Sequence, residues 1–226
     1  MEVYQIISLI VLIVIIIYSA VLSVIYYVRS YKSKKIEASN KSGKEIVSSI
    51  LAKYNLKNIN VEKIDGSDRY FYTEDIIFLS KDIYEGKSIY DVAVSGYIVS
   101  SFIKNNESKH LIRILSNLYS FLDYTILFSY AIVILGLSFE INNLIWIGVY
   151  LLIFAFISNL GLYIKERKLI DDVVSFLRHE EIINTTLKEK ITKMLFSIVS
   201  LSVASLVFKV TSFFQKAMHI IINDEE

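Results

Sequence analysis

Residues 3–28 read VYQIISLIVLIVIIIYSAVLSVIYYV, a run without a single charged side chain. As an α-helix rising about 1.5 Å per residue, it is ample for a hydrocarbon layer of about 30 Å. The chain opens Met1-Glu2-Val3 rather than on a basic segment, and the run continues to Tyr26-Tyr27-Val28-Arg29 without a small-residue cleavage site. An uncleaved membrane anchor is therefore expected. Three further apolar blocks lie at about 117–139, 141–164 and 191–214, with Asp123 inside the first, no charge inside the second, and Lys193 and Lys209 inside the third. The middle two are separated only by the region of Glu140 to Asn143, which predicts a tight helical hairpin.

The whole chain has 226 residues, 54% of them hydrophobic, and a mean hydropathy of +0.50. Because that apolar surplus is gathered into blocks of membrane-spanning length, the expected fold is an integral membrane protein, mainly α. It has four transmembrane helices (1–28, 117–139, 141–164, 191–214), a small cytoplasmic α+β insertion at 29–116, a cytoplasmic helical segment at 165–190 and a polar tail at 215–226. Orientation follows from the basic residues beside the spans. Arg29, Lys32, Lys34, Lys35, Lys41 and Lys44 follow the first, and Lys165, Arg167 and Lys168 follow the third, whereas the Glu140 loop has none. Segments 29–116 and 165–190 are expected in the cytoplasm, with the amino terminus, the hairpin loop and the tail outside a cell membrane crossed several times.

The absence of cysteine excludes disulfides, thiolate metal sites, iron–sulfur clusters and a cysteine nucleophile. A net charge of +1, from 24 basic and 23 acidic residues, leaves no electrostatic footprint for nucleic acid. The lipid bilayer is the partner that composition predicts.

Within 29–116, Ser42-Gly43-Lys44-Glu45 is a capping-box pattern, and Ile46, Ile50, Leu51 and Tyr54 recur at helical spacing after it. Strand-like runs follow at Asn60 to Ile64 and Tyr70 to Leu79, the latter read as a hairpin turning near Thr73-Glu74-Asp75. After Gly86 a helix is predicted from Ser88 to about Lys104, with Ile89, Val92, Gly96, Val99 and Ile103 forming a core stripe. The segment from Lys165 to Lys190 is read as helical and charged on one face.

Several local strings occur in a definite order: Ser42-Gly43 with Glu45-Ile46, Asn60-Val61-Glu62, Phe78-Leu79-Ser80, and Tyr84-Glu85-Gly86-Lys87-Ser88-Ile89 leading into Val92-Ala93-Val94. With the flanking spans, this order resembles the bacterial membrane neutral zinc metallopeptidase family over roughly Tyr31 to Phe214. The resemblance implies a small membrane protein with a catalytic helix between the first span and the rest. In the family the last string runs into an H-E-x-x-H helix. That chemistry needs two imidazoles one turn apart to hold zinc, and a carboxylate beside them to take a proton from the bound water.

The resemblance places those positions at Ser95 and Val99 for the imidazoles, Gly96 for the general base and Tyr163 for the third ligand. None of the four carries the required group. Ser95 is a weak, normally protonated ligand, Gly96 has no proton acceptor, Val99 is apolar, and Glu166 near Tyr163 cannot replace the missing pair. No catalytic, cofactor-binding or metal-ligating residue is therefore expected at this site, and zinc, the family's cofactor, is not expected here.

Other chemistry is thin. His179-Glu180-Glu181-Ile182-Ile183 begins like a zinc motif but has Ile where the second His belongs, and it is read as a charged surface helix. A Ser-His-Asp reading would draw on Ser95, His110 or His179, and Asp91. There is no phosphate-cradling glycine pattern. The intramembrane charges Asp123 and Lys209 both lie near span ends, which argues against a transport pathway. Ser197, Ser200 and Ala204 form a small-residue face for close helix approach, within the bundle or towards another subunit. The expected function is that of a non-catalytic pseudopeptidase acting as a membrane scaffold or binding protein, with other membrane proteins or an active family member as partners. A membrane peptidase with a site elsewhere and a small transport component stay open as alternatives.

Overall fold

The computed structural model describes residues 3–56, 58–65, 70–73, 75–106, 109–179, 182–183, 186–201 and 203–204, with the side chains at 4, 105–106, 109–120, 123 and 165 excepted. Lys209, Glu180, Glu181, Glu74, the tail, and the side chains of His110 and Asp123 lie outside the described residues, as does the fourth apolar block from residue 205 onward. The fold is mainly helical. In chain order it has α1 (Val3–Lys34), α2 (Gly43–Lys53), β1 (Asn60–Ile64), β2 (Tyr70–Tyr72), β3 (Ile76–Ser80), α3 (Lys81–Glu85), α4 (Ile89–Asn106), α5 (Lys109–Ser138) and α6 (Asn142–His179). A further helical stretch, α7, covers residues 186–201.

Contacts divide the chain into two compact units. One comprises Met1–Ile25, Ile114–Ile164 and Ser200–Glu226, and the other Tyr26–Arg113 and Lys165–Val199. The third apolar block and the charged segment after it are one continuous helix, α6, because no glycine or proline after Ile164 interrupts the hydrogen-bond ladder before His179.

The first unit has its own apolar core of Leu12 and Ile15 from α1, Ile126 from α5, and Val149, Leu152 and Ala155 from α6, flanked by Tyr130, Trp146 and Phe156. Its outer surface is also apolar. Val14, Phe128, Leu137 and Ile157 each leave at least 60% of their surface uncovered. A soluble unit rarely exposes so broad an apolar surface, whereas lipid tails cover it without penalty. Among the described residues two helices, Gln5–Lys34 and Asn142–His179, are long and apolar enough to cross a membrane, and Tyr124–Ser138 is a shorter apolar stretch. The α5–α6 turn is closed by Glu140 in the left-handed region at φ 57° and by a 2.9 Å bond from Ile141 N–H to the Gly136 carbonyl.

The second unit is α+β. Its sheet has the order β1-β3-β2, with β1 parallel and β2 antiparallel to β3. The hairpin expected over Tyr70 to Leu79 is present as β2 and β3, whereas the parallel pairing of β1 with β3 carried no local signal. On β3, Ile77 and Leu79 share one face and are fully buried, as the two-residue strand period requires. Helix α2 buries Ile46, Val47, Ile50 and Leu51. It ends at Lys53, and just beyond it Asn55 has a φ of 57°, which suits an asparagine past a helix end, while Leu56 N–H returns to the Leu51 carbonyl at 2.9 Å.

Candidate functional site

The helix that the resemblance marks as catalytic, α4, is the centre of the second unit. Its start is fixed by two local devices. Ser88 and Asp91 cap it reciprocally: Asp91 Oδ2 accepts from Ser88 N–H at 3.0 Å and from Ser88 Oγ at 2.7 Å, while Asp91 N–H reaches Ser88 Oγ at 3.3 Å. The preceding residues are splinted to the segment after α1. Ala38 N–H donates to the Lys87 carbonyl at 2.9 Å, Ile89 N–H to the Ile36 carbonyl at 2.9 Å, and Gly43 N–H to the Gly86 carbonyl at 3.0 Å. The string Tyr84 to Ile89 thus delivers the chain into α4 at a set angle.

Helix α2 braces the same end. Ser42 Oγ accepts from Glu45 N–H, and Glu45 Oε2 accepts from Ser42 N–H at 2.7 Å. These bonds hold the Glu45 carboxyl below its ordinary range. The neighbouring Lys44 ammonium, bonded to Tyr84, is pushed up. At Gly43 a side chain is impossible without movement. A Cβ there would collide with the Ile83 carbonyl oxygen and stand 2.6 Å from Ser95 Oγ.

Of the four predicted positions, Ser95, Gly96 and Val99 lie on the buried side of α4. Ser95 and Val99 are fully buried. Ser95 Oγ has no hydrogen-bond partner among the described residues. A Cβ on Gly96 would stand 2.8 Å from Val173 Cγ1 and 3.3 Å from Leu177 Cδ1, so α6 packs directly against the position that the resemblance gives to the general base. Tyr163, half-buried on α6, belongs to the first unit. The Ser-His-Asp combination is not assembled among the described residues: Asp91 is engaged with Ser88, Ser95 has no partner, and His179 is exposed.

The part of α4 that is not fully buried carries Tyr97, Ser100, Ser101 and Lys104. Strand β2 lies beside it. The Tyr70 and Tyr97 rings meet edge to face at 6.4 Å, those of Tyr72 and Phe102 at 5.5 Å, and Tyr72 Oη lies 3.4 Å from Ser101 Oγ. Lys104 reaches Asp172 at 3.8 Å. Sequence reasoning passed over Tyr97 and Ser101, although they too are four residues apart on one helix face. The stripe of apolar residues had marked the buried side, and its complement was the only available signal for the open one.

These residues do not fit a zinc ion. Ser95 offers a lone neutral hydroxyl, Gly96 has no room for a carboxylate, and Val99 contributes hydrocarbon. Among the described residues, no three His, Asp or Glu side chains converge where they could hold a metal.

The charged face expected on the segment after Lys165 is present. Leu169, Ile170, Val173, Val174, Phe176 and Leu177 are buried, while Arg167, Lys168, Asp171, Asp172, Ser175, Arg178 and His179 are exposed. The chain then turns back, with Ile182 N–H and Ile183 N–H both reaching the Leu177 carbonyl at 3.0 and 3.3 Å. Helix α7 returns beside α6, Arg167 standing 5.5 Å over the Phe196 ring. Arg29 Nη1 fastens α1 to α7 through the Lys193 carbonyl at 3.1 Å and Ser197 Oγ at 2.9 Å.

A family model described as "Putative neutral zinc metallopeptidase" matches residues 5–220. No curated protein and no solved structure matches the chain.

Proposed function

The chain belongs to the neutral zinc metallopeptidase family whose model spans it, and from that premise we propose that it is a non-catalytic member, a pseudopeptidase that binds or scaffolds other membrane proteins. The observation that carries this reading is the packing of α6 onto Gly96. A general base cannot enter where Val173 and Leu177 stand against the helix backbone, and the neighbouring ligand positions are a buried serine and a buried valine. Hydrolysis by this family's chemistry needs zinc to activate a water molecule, and these positions supply neither ligands nor a base.

In this reading the protein crosses the membrane four times, with 29–116 and 165–190 in the cytoplasm. The second unit then serves as a binding module. Its partners are membrane proteins, among them an active relative whose helices are complementary to its own.

The test is metal analysis of the full-length protein purified in a mild detergent, paired with cleavage of an unfolded protein substrate. Zinc well below one equivalent and no chelator-sensitive cleavage are the expected results. One equivalent of bound zinc, or cleavage abolished by a chelator, would overturn the pseudopeptidase reading.

A further inference from the structure

At the turn between α6 and α7 the second unit has a half-open cleft of about 560 Å³, lined by Asp171, Val174, Ser175, Arg178, His179 and Lys188. Its size falls in the range of small-molecule sites and exceeds what a lone ion would need. Among the described residues, the acids flanking the lining residues are already committed: Asp172 faces Lys104, and Glu189 accepts from Lys193, which holds the Glu189 carboxyl below its ordinary range. Arg178 and Lys188 are left without an acidic partner among the described residues, and both open into the same space. Five of the six lining residues come from a single helix, and Lys188 comes from the helix that returns beside it.

We propose that this cleft binds a phosphate-bearing ligand. The planar guanidinium of Arg178 can grip two phosphate oxygens at once, and Lys188 adds a point charge. Ser175 Oγ and a ring N–H of His179 are donors for the remaining oxygens. Val174 supplies an apolar wall for the group attached to the phosphate. Asp171 is the single acid in the lining, and it weakens the binding of any anion that lacks a cation of its own. A phospholipid headgroup and a soluble phosphate ester both satisfy this chemistry, and the site is independent of whether the chain has peptidase activity.

The full-length protein in a neutral detergent supplies the test, with pyrophosphate as the soluble probe by titration calorimetry and phosphatidylglycerol as the lipid probe by native mass spectrometry. All three substituted residues lie on the surface, so the core is left untouched. Arg178→Gln with Lys188→Gln should weaken the bound probe by at least about tenfold, the loss expected for charge-assisted hydrogen bonds, while Asp171→Asn should tighten it several-fold. Pyrophosphate binding that follows this opposed pattern identifies a soluble ester. Phosphatidylglycerol retention that follows it, without pyrophosphate binding, identifies a headgroup. Binding of neither probe, or binding that the Arg178, Lys188 and Asp171 variants leave unchanged, would overturn the proposal.

Discussion

Gly96→Ala adds one methyl group at the place where α4 meets α6, and its effect measures how tightly that face of α4 is filled. In an unobstructed helix interior the substitution gains about 1 kcal/mol. Here the new carbon would stand 2.8 Å from Val173 Cγ1 and 3.3 Å from Leu177 Cδ1, inside the roughly 3.5–4.0 Å of a relaxed carbon pair. Val173 is β-branched and its χ1 is stiff on a helix, so the strain falls on the helix–helix spacing. Overpacking of this kind costs about 1–3 kcal/mol, which leaves a net destabilisation of about 0–2 kcal/mol. Gly161, also on α6, has nothing within 4 Å of its would-be Cβ and serves as the control. Melting followed by circular dichroism in matched detergent resolves the difference, since about 1 kcal/mol shifts the midpoint by about 2–4 °C at this size. Gly96→Ala should melt several degrees below Gly161→Ala. Adding Val173→Ala should return part of the loss, with a coupling of about 1 kcal/mol. If Gly96→Ala raises the midpoint as much as Gly161→Ala does, α6 does not fill that face and the argument against a general base there fails.

Ser95→Ala removes a buried hydroxyl that has no partner among the described residues, and it should leave thermal stability unchanged or raise it by about 1 kcal/mol; a large loss would reveal a bond that the hydroxyl makes. Ser42→Ala should cost about 0.5–2 kcal/mol through the lost cap. Because the folded-state pKa of Glu45 is depressed, its share of stability is present above the ordinary carboxyl pKa of about 4.3 and is lost as pH falls through the lower folded value. Unfolding of Glu45→Gln should therefore show a flatter acid limb than the parent. Single cysteines at Asn143 and Asn40, both exposed, report the membrane orientation: the first should react with an impermeant thiol reagent in intact cells and the second should not, and the reverse pattern would invert the topology.

Much of the second unit was legible because its signals are local. The capping box at Ser42 and Glu45, the run from Tyr70 to Leu79 and the stripe through Val92, Gly96 and Val99 each specify an element by periodicity or by a single turn of chain. The stripe also marked the side of α4 that is buried. What it could not give is the identity of the covering element, because Val173 and Leu177 lie far along the sequence and their apolar side chains resemble any others. The parallel partnership of β1 with β3 was hidden for the same reason: pairing of distant strands leaves no mark at either strand. The cleft at Arg178 and Lys188 was illegible because it depends on which acids are already engaged with other cations, and that is decided by side-chain geometry rather than by spacing.

The packing of Gly96 against Val173 and Leu177 also sets a timetable for biosynthesis. At about 5–20 residues per second, a ribosome needs about 4–16 s to pass from Gly96 to Leu177. Helices α2 and α4, the sheet and their splint can assemble from residues already made. The flank of α4 around Gly96 has to wait until the α5–α6 hairpin and the far half of α6 have been synthesised. For that interval the nascent chain carries an uncovered apolar groove, so truncation anywhere between about residues 107 and 170 should yield a chaperone client rather than a smaller folded protein.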